Sequence, residues 1–180
     1  IASPEFAGSA EKAKPAMVVS TLISRSPTMV YFGQELGEAA ALNSGFGSAS
    51  RTTIFDYAGV PAHQRYMNGG KFDGGQSSAE EKSLRDFYRA VLTLSREPVI
   101  AEGTYRELHT YNLARGEGYT DTVFAFTRAV DAQKWIVVSN FSGAPTGSIT
   151  LSLPATHVQD WQLTKSNYAL VKKFGERSTY

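Results

Sequence analysis

Met29 to Phe32 is an unbroken apolar run that stops at a glycine, and few local structures suit it. A run without polar alternation predicts a short strand covered on both faces, as in parallel α/β sheets. Pro27 stands where a strand can begin, since a proline there removes no interior ladder bond. Gly33 lets the backbone turn. Gln34 and Glu35 then present polar side chains at the strand's carboxyl end, where α/β folds build their sites. The plainer reading is a core strand followed by a solvated turn.

The flanking residues extend the pattern. From Ala10, the positions Ala13, Met17, Val18, Leu22 and Ile23 have helical spacing, with Glu11, Lys12 and Lys14 on the solvated face. Pro15 is expected in the first turn of that helix. Residues 36–77 form a long segment rich in glycine, serine and asparagine, and a loop of this length in a compact domain is functional or disordered. Ser78, Glu80 and Glu81 open a capping box. The helix behind it carries Leu84, Phe87, Tyr88, Val91 and Leu92 on one face and ends before Pro98. From about Ala101 the period becomes two. Strands are expected at Thr104–Tyr111, Val123–Val130, Lys134–Asn140 and Ser148–Leu153, separated by turn residues such as Asp131. Strands following helices imply a separate antiparallel domain.

Bulk properties exclude several classes. With 19% charged residues, a net charge of +1 and no basic block, nothing suggests nucleic acid. No apolar run approaches the roughly 20 residues of a membrane span. Cysteine is absent, which removes thiolate metal sites and decides no compartment. His63, His109 and His157 lie far apart without metal-ligand spacing. Asn140, Phe141 and Ser142 fit a glycosylation acceptor, a pattern common by chance.

Pro27, Met29, Val30, Tyr31, Gly33, Gln34 and Glu35 resemble the last barrel strand of the α-amylase superfamily of glycoside hydrolases. Ser24 to Ser26 replace the family's usual leading glycine. The aromatic and charged residues of the following loop, and the run Trp135 to Ser142, are similar to that family as well. The resemblance implies α/β plus all-β architecture: the last β/α portion of a TIM barrel, incomplete, in residues 1–100, and a C-terminal antiparallel β-sandwich in residues 101–180. It places the helix near Ala10 as the seventh of the barrel and the helix after Ser78 as the eighth.

Function follows from the same resemblance. Sugars stack on aromatic rings, while arginine and aspartate bond hydroxyls, so Arg51, Phe55, Tyr57 and Tyr66 are the candidate substrate contacts. These aromatics could equally pin a long loop to the core. A retaining glycosidase needs two carboxyl groups about 5–5.5 Å apart. Glu35 and Glu38, Asp56, Asp73, and Glu80 with Glu81 form no convincing pair, so no catalytic residue is expected in this chain. The family keeps its catalytic carboxylates on earlier strands. The chain is therefore expected to be a C-terminal piece of a retaining glycosidase acting on α-1,4-glucans, inactive alone. It would hold no cofactor; calcium, common in the family, would bind elsewhere in the complete enzyme. Its partners would be an α-glucan oligosaccharide and the rest of the barrel. A lone parallel strand leaves its backbone unpaired. Residues 28–32 must then pair with strands outside the chain or rearrange, and an ordered, exposed and unpaired run there counts against the barrel. The alternative is a non-catalytic carbohydrate-binding module using Trp135, Trp161 and loop aromatics.

Overall fold

The computed structural model of the chain describes residues 8–38, 60–165 and 167–174. Their contacts separate into two compact units. One takes residues up to Thr21 and Ser26–Thr93; the other takes Leu22–Arg25 and everything from Leu94. The architecture is α+β: helices and one three-stranded antiparallel sheet.

The first unit is helical. Helix α1 (Ala10–Leu22) starts at Ser9, whose hydroxyl accepts the Lys12 N–H at 3.2 Å. Pro15 lies inside this helix and not in its first turn, so the expected start near Pro15 is corrected. The serine cap nucleates the helix one turn earlier than the proline alone suggests. Helix α2 (Pro61–Met67) begins on a proline. Helix α3 (Ala79–Leu94) has the expected capping box: Ser78 Oγ accepts the Glu81 N–H at 3.2 Å, and Glu81 Oε2 accepts the Ser78 N–H at 2.9 Å. Its buried Leu84 and Tyr88 join Met17 of α1 in the core of this unit, with Ala10, Val30, Phe87 and Leu92 packed around them.

Residues 27–31 are not a strand. Met29 is 84% exposed and Tyr31 41% exposed, so the expected buried strand at Met29–Phe32 is corrected. The reason is a missing neighbour. A parallel strand is held only by adjoining strands, and none of the described residues pairs with this run. Apolar composition then leaves an exposed, unpaired stretch, and this counts against the barrel assignment.

The second unit carries the sheet, in the order β1 (Thr104–Glu107), β2 (Val123–Val130), β3 (Gln133–Asn140), with all pairings antiparallel. The β2–β3 hairpin closes over two residues, Asp131 and Ala132, and Asp131 takes the left-handed conformation at φ 45°. Strand β2 is buried along both faces, which accounts for its unbroken Val-Phe-Ala-Phe start. Val123 and Ala125 lie in a core with Leu108 and Tyr119, while Phe126 and Arg128 are enclosed on the opposite face.

Short helices surround this sheet: α4 (Pro98–Ala101), α5 (His109–Leu113) and α6 (Ala155–Asp160). Two strand expectations change here. The first expected strand stops at Glu107, because Leu108 turns inward and α5 begins. Residues 148–153 form no ladder. Ile149, Leu151 and Leu153 do alternate onto the core, but the backbone bonds go elsewhere: Thr150 N–H to the Glu117 carbonyl at 2.8 Å and Ser152 N–H to Asn112 Oδ1 at 2.7 Å. The period is therefore that of a strand, and the partners are a loop carbonyl and a side chain. The described residues thus hold a single sheet.

His157 sits in α6, 3% exposed. The Thr127 hydroxyl donates to the Arg106 carbonyl, so it accepts from His157 Nε2–H at 3.1 Å, which assigns the tautomer from the bonding network. Burial, then the Arg106 guanidinium, hold this imidazole below its ordinary pKa, with Asp160 opposing. The unfolded chain therefore takes up the proton first. Stability of this unit is complete above about pH 6.5 and falls as the pH drops below it. Thermal melts between pH 7.5 and 5 should show this decline, and His157→Gln, which does not titrate, should flatten part of it. An unchanged slope in the variant would assign the decline to other groups.

Candidate functional site

The Gly33 turn is the best-defined part of the motif. Gly33 and Gly37 both have φ of 74°, and a Cβ on Gly33 would lie 2.9 Å from Glu38 Cβ. The turn closes through Gln34 N–H to the Tyr31 carbonyl at 2.9 Å and Glu38 N–H to the Gly33 carbonyl at 3.0 Å. Gln34 then ties it to the helices. Its Nε2 donates to the Tyr88 hydroxyl at 2.9 Å and contacts Met17 Sδ at 3.6 Å, and its Oε1 accepts the Tyr31 N–H at 3.2 Å. Burial, the largest influence, raises the Tyr88 hydroxyl's pKa. The bond from Gln34 works against this, and the Glu35 charge adds to it. Gln34 therefore fixes the turn, while Glu35 is half-buried beside it.

The carboxylates weighed for catalysis have other work. Glu38 Oε2 accepts the Ala62 and His63 N–H groups at 2.9 and 3.4 Å, capping α2 from outside its own sequence neighbourhood. Phe32 packs on the His63 ring with centroids 4.3 Å apart. Glu81 holds Ser78 and receives Arg65 Nε at 3.0 Å as well as Arg65 Nη2. The Arg65 bond, ahead of the opposing desolvation, holds the Glu81 carboxyl below its ordinary pKa. Glu80 accepts the Ser78 hydroxyl at 2.7 Å. Asp56 lies outside the described residues.

Of the four candidate substrate contacts, Arg51, Phe55 and Tyr57 also lie outside the described residues. Tyr66 is on α2 and half-buried. The Arg85 guanidinium sits over its ring at 4.6 Å, and its carbonyl accepts the Gly74 N–H at 3.0 Å. These contacts make Tyr66 a support for the loop that follows α2.

That loop, Asn68–Gly75, was not singled out from sequence. It holds an unusual density of left-handed backbone: Asn68, Gly69, Gly70, Phe72 and Gly74 all have positive φ. Phe72, at φ 56°, is 57% exposed. A left-handed bulky residue costs about 1–2 kcal/mol. The loop is nevertheless well tied. Phe72 N–H bonds the Met67 carbonyl at 2.9 Å, and Asp73 Oδ1 accepts both Asn68 Nδ2 and Gly75 N–H at 2.8 Å. The Asn68 bond, then Gly75, lower the Asp73 pKa. The available signal was a lone aromatic between two glycine pairs.

The second unit has a shallow polar pocket lined by Arg106, Thr127, Lys134, Asp160 and Trp161 among others. Arg106 Nη2 and Asp160 Oδ2 pair across it at 2.5 Å, and Trp161 packs edge-on to His157. Trp135 lies on β3 opposite Arg128, half-buried. Among the described residues no group of three or more histidine, aspartate or glutamate side chains could hold a metal ion, and no helix is long and apolar enough to cross a membrane. Comparisons with family models, with curated proteins and with solved structures return no match.

Proposed function

We propose that this chain is part of an α-amylase-like retaining glycosidase acting on α-1,4-glucans. It forms cleft wall and a supporting β-domain, and segments outside these 180 residues supply the catalytic carboxylates. One observation carries the reading: the residues that resemble the family's last barrel strand end in a Gly33-Gln34-Glu35 turn locked to Tyr88 and Met17, whereas the exposed and unpaired Met29 and Tyr31 count against it. A polar turn fixed directly after an apolar run is the arrangement that a barrel strand's carboxyl end requires. In that setting residues 29–32 gain a ladder; the β-sandwich expected in residues 101–180 is represented among the described residues by one three-stranded sheet. The employment of Glu38, Glu80 and Glu81 as caps and ion-pair partners agrees with an acid/base and a nucleophile held elsewhere.

A second reading is a non-catalytic carbohydrate-binding module, and the Trp161 pocket favours it, because an aromatic beside a paired arginine and aspartate suits a sugar ring. Calorimetric titration with maltoheptaose separates the two. The first reading expects binding without release of reducing ends, weakened roughly tenfold by Tyr57→Ala and unaffected by Trp161→Ala. Loss of binding in Trp161→Ala alone would favour the module, and no binding at all would refute both.

A further inference from the structure

We propose that Phe72 is a stacking platform for a pyranose ring of the α-glucan, with Lys71 and Asp73 bonding its hydroxyls; this rests on the glucan reading above. The backbone at position 72 is left-handed, a conformation that glycine or asparagine takes readily and phenylalanine does not. The side chain is mostly in water, where a polar group would be favoured. Phenylalanine therefore suits neither its backbone nor its solvent in the isolated chain. Among the described residues its ring has no aromatic or cationic partner. Unfavourable conformations that the surroundings hold firmly cluster at functional sites.

The surroundings do hold it. The bonds from Phe72 N–H to Met67, from Gly74 N–H to Tyr66, and from Asn68 and Gly75 to Asp73 fix the loop on both sides of the ring. At Gly75 a Cβ would come within 2.3 Å of Asn68 Nδ2, so the bonded form leaves no room for a side chain there. The backbone that bears the ring is thus fixed before any ligand arrives, which lowers the ordering cost of binding. Lys71, Phe72 and Asp73 are consecutive and exposed, a donor and an acceptor flanking an apolar plate. That set matches a sugar, with apolar C–H faces and a rim of hydroxyls that both donate and accept. Adjacent opposite charges give no net pull on an anionic membrane, and one ring is too small for a stable protein interface.

The test follows the amides of Gly69, Gly70 and Gly74 by NMR while maltoheptaose is added to the 180-residue chain. Phe72→Gly and Phe72→Asn remove the ring and suit the backbone. Both should bind about fivefold more weakly than wild type and melt at the same or a higher temperature, while Phe72→Tyr should bind as wild type. Wild-type binding with unchanged affinity in Phe72→Gly and Phe72→Asn would overturn the platform and leave the glucan reading standing. Absence of binding by the wild-type chain would overturn both. A lower melting temperature in both variants would mean that the ring supports the loop, which also overturns the proposal.

Discussion

Arg128→Met should destabilise the sheet-bearing unit by about 3 kcal/mol. Arg128 is 2% exposed on β2 and is bonded to carbonyl oxygens: Nη1 to Ile23 at 3.0 Å, Nε to Val99 at 3.4 Å, and Nη2 to Ile100. The last two carbonyls belong to the four-residue helix α4. Burial, and then the Arg25 charge, lower the Arg128 pKa, but a guanidinium stays charged throughout the working range. Methionine keeps much of the stem volume, so the loss comes from orphaned carbonyls and not from a cavity. Arg128→Lys should fall between the two, since an ammonium has three donors but no planar fork. Urea unfolding followed by tryptophan fluorescence reads this out through Trp135, directly opposite Arg128 on β3. A loss below about 1 kcal/mol in Arg128→Met would mean that water satisfies those carbonyls.

Asn112→Ala should cost about 2–4 kcal/mol and free residues 148–153 from the core. The Asn112 side chain is fully buried on α5 and makes three bonds. Nδ2 donates to the Leu108 carbonyl at 2.9 Å and to the Ser152 carbonyl at 3.1 Å, and Oδ1 accepts the Ser152 N–H at 2.7 Å. Both backbone groups of Ser152 thus pair with one amide, as they would with a neighbouring strand. Ile149, Leu151 and Leu153 are held against the Leu108 core on either side of that clamp. Asn112→Asp should be at least as damaging. It keeps the acceptor but removes both donors, and it places a charge where burial is complete. Hydrogen exchange gives the local signature: the Ser152 amide should lose protection ahead of β2 and β3. Equal protection in the variant would place the anchor of the segment elsewhere.

These anchors also show what could be read from the chain and what could not. Local chemistry was legible. The Ser78–Glu81 box and the Leu84–Tyr88–Val91 face depend on residues a few positions apart, and both formed. The β2 and β3 strands were legible because length and branched residues favour them and Asp131 turns the chain between them. Pairings that need a distant partner were not. Met29–Phe32 has a strand's composition but lacks a neighbour among the described residues, and 148–153 has a strand's period but bonds to Asn112. Helix α5 was hidden because Thr110 and Tyr111 are strand-favouring residues and no glycine or proline breaks the run from Thr104 to Tyr111. For the site, Tyr66 was singled out for its aromatic character, and contacts show it bearing on Arg85 and Gly74. Phe72, in the same loop as Gly74, stands out only once its backbone angle and exposure are known.

These residues are proposed to serve a glucan hydrolase whose reacting carboxylates lie outside them. The most direct measurement compares starch hydrolysis by this chain and by the product of the coding sequence extended upstream of Ile1, with the anomer of the released sugar followed by NMR. The claim predicts no hydrolysis by the 180-residue chain, and hydrolysis with retention of configuration by the extended one. Hydrolysis by the short chain alone, or none by an extended chain that folds, would contradict it.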